Sequence, residues 1–118
     1  MKFSTQHAIA GVLVSLSFLS NALAGAGWTP ATTILELNQQ PASGVGSELI
    51  FVETALTSNV SGCPHGAGFY FAVTDDRKKR MFSMLVAAQL AGKQVKLYTT
   101  GNCHTPWDYA ELDGVTVS

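Results

Sequence analysis

The stretch 74–100, TDDRKKRMFSMLVAAQLAGKQVKLYTT, joins one helix signal to one strand signal at a single glycine. Residues 74–91 have helical apolar spacing, and Gly92 follows where a left-handed helix stop is favoured. Residues 94–100 then alternate apolar and polar side chains, which predicts a strand. A helix that leads directly into a strand, in a chain of only 118 residues, sets the order of the remaining elements.

The helix is predicted to have two apolar stripes. Thr74 or Asp75 can cap its first turn. One stripe follows the i, i+3, i+4, i+7 spacing and is predicted to face the core: Met81, Met84, Leu85, Ala88. The second contains Phe82 and Val86, which predicts either a subunit contact or a helix sunk deeply in the fold.

Strand signals lie on both sides of this helix. Three precede it, at 32–37, 48–55 and 69–73. Two follow it, at 94–100 and at 109–117, and the last is interrupted by a turn at Asp113-Gly114. Residues 38–46, NQQPASGVG, are predicted to be a loop because proline and glycine interrupt them. The predicted fold is mainly β with one helix (α+β), in the order β-β-β-α-β-β of a small five-stranded barrel like the oligonucleotide/oligosaccharide-binding (OB) fold. An α+β sandwich is the alternative.

The N-terminus has the pattern of an export signal. Lys2 precedes the apolar run 8–19, which is too short for a typical membrane span, and Ala22-Leu23-Ala24 fits a signal peptidase site. We therefore expect a signal peptide at 1–24, a single domain at 25–118 and a secreted or periplasmic location. Six basic and eight acidic residues remain after cleavage, which does not favour nucleic acid as a partner.

Two cysteines are expected to supply stability that so small a core lacks. Cys63 and Cys103 are the only cysteines, and disulfides persist in exported proteins. A bridge between them closes a loop of about 40 residues, worth roughly 4 kcal/mol in the chain-entropy model. Zinc bound by both cysteines with His65 and His104 is the alternative, although the spacing is unlike that of common zinc sites.

Motifs for catalysis are lacking. The sequence has no nucleophile elbow, HExxH pair or glycine-rich phosphate loop, and its carboxylates are spread over separate segments. The prediction is therefore a protein that is not an enzyme and that has no cofactor and no metal. A small hydrolase with paired carboxylates is the weaker alternative.

Exposed aromatic residues are the best candidates for binding. Those considered for stacking on sugar are Trp28, Tyr70, Tyr98, Trp107 and Tyr109, each of which could instead serve packing. We place the predicted ligand site on Trp28, Tyr98, Trp107 and Asp108, because a tryptophan beside a carboxylate in a loop can stack on a sugar and accept from its hydroxyls. An envelope interaction protein without a sugar ligand is the second class of function.

The run DRKKRMFSMLVAAQLAGKQVKLYTTG at 76–101 and the later ELDGVTV at 111–117 resemble the helix and strand of the B subunits of subtilase cytotoxin and typhoid toxin, which are AB5 toxins. The Trp28-Thr29 pair after the signal and a cysteine ahead of the helix are also similar. The resemblance covers about 40 residues. It implies a homo-oligomer, usually a ring of five, that binds a glycan or glycoprotein receptor and accompanies a separate catalytic subunit.

Overall fold

The computed structural model describes residues 25–41 and 48–118. The predicted signal peptide, 1–24, lies outside the described residues. The elements are β1 (Gly27–Trp28), β2 (Ile34–Pro41), β3 (Glu48–Thr54), β4 (Gly68–Ala72), α1 (Asp76–Ala91), β5 (Val95–Cys103) and β6 (Ala110–Val117). The prediction of a mainly β protein with one helix is confirmed for these residues.

The strands form an open mixed sheet in the order β1-β5-β6-β4-β3-β2. Neighbouring strands are antiparallel, except that β4 and β6 are parallel. The chain passes through α1 after β4 and before β5. The predicted closed five-stranded barrel is wrong. A sixth, two-residue strand, β1, occupies one edge and β2 occupies the other. Between them, an isolated antiparallel bridge joins Thr32, just ahead of β2, to Val95 of β5.

Helix α1 is confirmed and covers one face of the sheet. Asp75 is its N-cap and accepts a hydrogen bond from the Lys78 backbone N–H at 2.9 Å, whereas Gly92 ends it in the left-handed region at φ 66°. The predicted inner stripe is buried except for Met84, which is 39% exposed. The buried helix residues are Met81, Leu85 and Ala88.

The two side chains predicted to form a subunit contact are both half-buried. Phe82 packs against the core of its own chain. The most exposed large apolar residue of α1 is Leu90, at 83%. Self-association through this helix stays a prediction.

The core lies between α1 and the sheet. Its sheet side is formed by every second residue of the central strands, as the pleat requires. These side chains are Ile50, Val52, Phe69, Phe71, Val95, Leu97 and Leu112, all fully buried or nearly so.

A bulge in β6 replaces the turn that was predicted at Asp113-Gly114. Tyr98 pairs with Gly114 and Thr99 with Leu112, so Asp113 is an extra residue in a continuous strand. The bulged carboxylate lies 2.5 Å from an Arg77 nitrogen and 3.0 Å from Lys78 Nζ. The hydrogen bond from Arg77 is the main cause that lowers the pKa of Asp113. This ion pair network joins the start of α1 to the sheet.

The first long strand continues where a loop was predicted. Residues 38–41 pair with β3, from Asn38 opposite Phe51 to Pro41 opposite Glu48. Pairing with a neighbour outweighs the weak strand propensity of this segment, and proline is tolerated because β2 is an edge strand. Residues 42–47, the rest of the predicted loop, lie outside the described residues.

The two cysteines are bridged. The Cys63 and Cys103 sulfurs lie 2.05 Å apart and join the loop before β4 to the end of β5. In the part of the chain that the structure describes, no group of three or more His, Cys, Asp or Glu side chains is placed to hold a metal. Nor is any helix there long and apolar enough to cross a bilayer.

We expect the substitution Cys63→Ser with Cys103→Ser to lower the free energy of unfolding by about 2 to 5 kcal/mol, because the bridge removes conformations of the unfolded chain. Denaturant unfolding followed by circular dichroism measures this. The reduced wild-type protein is the matched control and should lose the same amount. Equal midpoints for the oxidised, reduced and doubly substituted proteins would show that the bridge does not stabilise the fold.

Candidate functional site

Within residues 25–41 and 48–118, no helix covers the face of the sheet opposite α1, and this face contains polar and aromatic side chains. In β2 and β3, Asn38 lies opposite Phe51 and Glu36 lies opposite Glu53. Alternation puts these four side chains on the open face, because Val52 next to them is fully buried towards the helix. Gln40 extends the row along the edge strand.

The loop between β5 and β6 lies at the side of this row. The His104 backbone N–H donates to the Tyr109 carbonyl at 2.8 Å, and the Asp108 N–H donates to the His104 carbonyl at 2.6 Å. Asp108 adopts a positive φ of 63°. The resulting tight loop presents Trp107, with 48% of its surface exposed.

Together these elements enclose a cleft of about 340 Å³. Its lining combines three aromatic rings, two carboxylates and two amides: Glu36, Asn38, Gln40, Phe51, Glu53, Trp107 and Tyr109. A site that combines apolar rings with a few converging polar groups is typical of small-molecule recognition.

Phe51 is the centre of the aromatic wall. Its ring lies edge-on to Trp107, with centroids 5.1 Å apart, and edge-on to Tyr109, at 5.4 Å. The His104 ring stacks on Trp107 at 5.2 Å, and the His65 ring stacks on Tyr109 at 4.5 Å. These contacts orient both loop residues before any ligand arrives.

Glu53 is the most strongly engaged polar group of the cleft. His65 Nε2 lies 2.8 Å from its Oε1, and the Tyr109 hydroxyl donates a short hydrogen bond to the same oxygen. Burial, together with the bond to Glu53 and the charges of Glu53 and Glu36, raises the pKa of Tyr109 to about 12. Tyr109 therefore stays a donor to Glu53 at neutral pH.

Glu36 differs from Glu53 in its surroundings. Its side chain is exposed and makes no hydrogen bond or ion pair to another residue in 25–41 or 48–118. Glu36 also faces the Tyr109 hydroxyl closely enough for its charge to act on that group. A ligand can therefore approach this carboxylate without displacing a protein partner.

The structure separates the predicted ligand residues into two groups. Trp107 lines the cleft, but the side chain of Asp108 does not, and that residue contributes backbone hydrogen bonds to the loop. Trp28 and Tyr98 form an edge-to-face pair at 5.4 Å, in β1 and β5. Neither of them lines the cleft.

Sequence reasoning missed most of the cleft. The row Glu36, Asn38, Gln40 has the two-residue period of a strand face, but the prediction of a loop from Asn38 obscured it. Glu53 was considered only as one of several scattered carboxylates. Its place beside Glu36 depends on the pairing of β2 with β3, which no local signal gives.

Comparison with protein-family models, with curated proteins and with solved structures finds no significant match to this chain. The resemblance to toxin B subunits therefore stays a prediction.

We expect Tyr109 to ionise near pH 12 in the folded protein, against 10.0 for an ordinary tyrosine. The ultraviolet titration of wild-type protein minus that of Tyr109→Phe isolates this phenol. Because the folded-state pKa is raised, the stabilisation is complete below pH 10 and is lost as the pH rises towards 12.

Glu53→Gln should lower the pKa of Tyr109, since it removes a charged acceptor, while burial keeps it above the ordinary value. A Tyr109 transition near pH 10 in the wild-type protein would contradict the contact with Glu53.

Proposed function

We propose that this chain is a non-catalytic binding subunit that acts outside the cytoplasm and recognises a glycan in the cleft on the open face of its sheet. The observation that carries the proposal is the position of Trp107 beside the row Glu36, Asn38, Gln40. An exposed indole can stack on the apolar face of a sugar ring. Carboxylates and amides next to it can bond to the hydroxyls of the same ring.

The preformed shape of the cleft supports this function. Trp107 is held by Phe51 and His104, and Glu53 is held by His65 and Tyr109. A site whose groups are already oriented loses less conformational entropy when a ligand binds. The disulfide favours an oxidising compartment outside the cytoplasm, where surface glycans and glycoproteins are the available ligands.

We further propose that the subunit acts as a homo-oligomer, a ring of five by the resemblance, together with a separate catalytic subunit. Apolar side chains that remain exposed or half-buried on α1 support self-association: Met84, Val86 and Leu90. Multiple copies would raise the avidity of a shallow site for a surface that carries many glycans.

A hydrolase is the second candidate function. Glu36 and Glu53 are paired across two strands on one face, where Cβ atoms lie about 5 Å apart, and this brings two carboxylates together as a retaining glycosidase requires. Release of reducing ends from a bound oligosaccharide, abolished by Glu53→Gln, would favour this candidate over the binding subunit.

Trp107→Ala is expected to weaken glycan binding at least about tenfold, because stacking on the indole is lost, while lowering the melting temperature by only a few degrees. A glycan array followed by calorimetry on the hits measures the affinity. Trp28→Ala is the matched control, since this tryptophan is 51% exposed but does not line the cleft.

Two outcomes would contradict the binding proposal. One is an array with no glycan bound by the wild-type protein, which would favour an envelope interaction protein instead. The other is a Trp107→Ala variant that melts early and binds its glycan normally, which would assign Trp107 to packing.

Light scattering on the purified chain 25–118 is expected to give a multiple of the monomer mass. Val86→Lys should lower that mass, because it places a charge in the proposed contact, and Ser83→Lys, on an exposed helix position, is the matched control. A strict monomer at micromolar concentration would end the ring hypothesis and leave the glycan site unaffected.

A further inference from the structure

We propose that the cleft selects a positively charged sugar, one with a free ammonium group, over its neutral N-acetylated form and over anionic sugars. This inference rests on the proposed glycan-binding function and names the class of ligand. It goes beyond the resemblance, which implies a glycan but does not specify the charge of that glycan.

The lining of the cleft is acidic. Among the described residues, its ionisable carboxylates are Glu36 and Glu53, and no lysine, arginine or histidine of these residues belongs to the lining. His65 hydrogen-bonds to a lining residue, but its Nε2 is already directed at Glu53. A carboxylate or sulfate on a sugar would therefore meet two like charges and no lysine or arginine.

Basic residues near the start of α1 form ion pairs away from the cleft. Arg77 and Lys78, at the start of α1, are paired with Asp113 of β6. Lys79 lies near Asp76 on the same helix. The helix packs on the opposite face of the sheet, so these cations do not neutralise the cleft.

The donor and acceptor pattern around Tyr109 also favours a cation. Its hydroxyl proton is used in the bond to Glu53, so towards a ligand the phenolic oxygen can act only as an acceptor. Glu36, whose charge acts on the same hydroxyl, has no side-chain partner within the described ranges and offers two acceptor oxygens. An ammonium group, which has three donors and no acceptor, matches this set.

The aromatic wall of the cleft adds to this preference. Phe51, Trp107 and Tyr109 line the same cleft as the two carboxylates, and a cation near the face of such a ring is attracted to its negative quadrupole. A neutral acetamide at the same place would gain neither this attraction nor the charge-assisted hydrogen bonds.

The amide row favours a sugar over a lysine side chain. Asn38 and Gln40 continue from Glu36 along one strand face, about 7 Å per step. They can meet the hydroxyls of a sugar whose ammonium group lies at Glu36. A lysine side chain has no hydroxyls for these amides.

Calorimetry with a matched pair of sugars tests the inference on the intact chain 25–118. The pair is the β-1,4-linked disaccharide of glucosamine and the same disaccharide with both amines acetylated, in slightly acidic buffer where the free amines are charged. We expect the charged disaccharide to bind at least about tenfold more tightly, because it adds charge-assisted hydrogen bonds and cation–π contacts. Sialyllactose, an anionic sugar, should not bind measurably.

Glu36→Gln should weaken the charged disaccharide about three- to fivefold, as expected for a partly exposed ion pair, and leave the acetylated one unchanged. Glu48→Gln is the matched control, because it removes the same charge from β3 outside the cleft. If the two variants lose the same affinity for the charged disaccharide, the sugar is attracted to the overall negative charge of the protein and not to the cleft, which would overturn the inference.

The remaining outcomes separate the two proposals. Tighter binding of the acetylated disaccharide or of sialyllactose would overturn the charge preference and leave the glycan-binding function standing. Nα-acetyl-lysine amide keeps its side-chain ammonium group. If it binds as tightly as the charged disaccharide, the ammonium alone is recognised, which overturns the assignment to a sugar. No binding of any sugar would overturn both proposals.

Discussion

The structure depends on the burial of one face of the sheet beneath α1. A six-stranded sheet has two faces, and the 16-residue α1, the one helix among the described residues, covers only one of them. The apolar residues of the central strands are concentrated on that side, where Leu85 of α1 is fully buried. The side chains of the open face are therefore not part of this core and can form a cleft.

The open face is organised by its own contacts. Phe51 occupies the middle of the aromatic cluster. The loop between β5 and β6, which presents Trp107, is held by its own backbone hydrogen bonds. The Cys63–Cys103 bridge lies at one end of this loop and ties it to the segment that contains His65. Glu53 receives hydrogen bonds from that segment and from Tyr109. The cleft is therefore supported by covalent, aromatic and polar contacts together.

Charge is divided between the two sides of the sheet. On the helix side, the bulged Asp113 binds Arg77 and Lys78 and lies at the point where α1 meets β6. On the open side, Glu36 and Glu53 line the cleft with aromatic rings and amides, and no lysine or arginine of the described residues joins them there. The helix side uses its ion pairs for stability, whereas the open side keeps negative charge available to a ligand.

The sequence by itself determined the elements whose signals are local. The helix from Asp76 to Ala91, with its cap at Asp75 and stop at Gly92, follows from apolar spacing and from the conformational freedom of glycine. The pairing of the only two cysteines also followed, because no other partner was available. Apart from β1, which was not predicted, the strands were located to within a few residues, since β-branched and aromatic runs are local signals too.

Tertiary structure decided how those strands pair, and with it the site. Whether the sheet closes into a barrel depends on which strands become neighbours, and the placement of β1 beside β5 leaves β2 at the opposite edge. The extension of β2 through Asn38 and Gln40 comes from hydrogen bonds to β3, which outweigh weak local propensity. Glu36, Glu53 and Trp107 are distant in the sequence and meet only through this pairing. The cleft is a product of long-range contacts, and no local pattern could have predicted it.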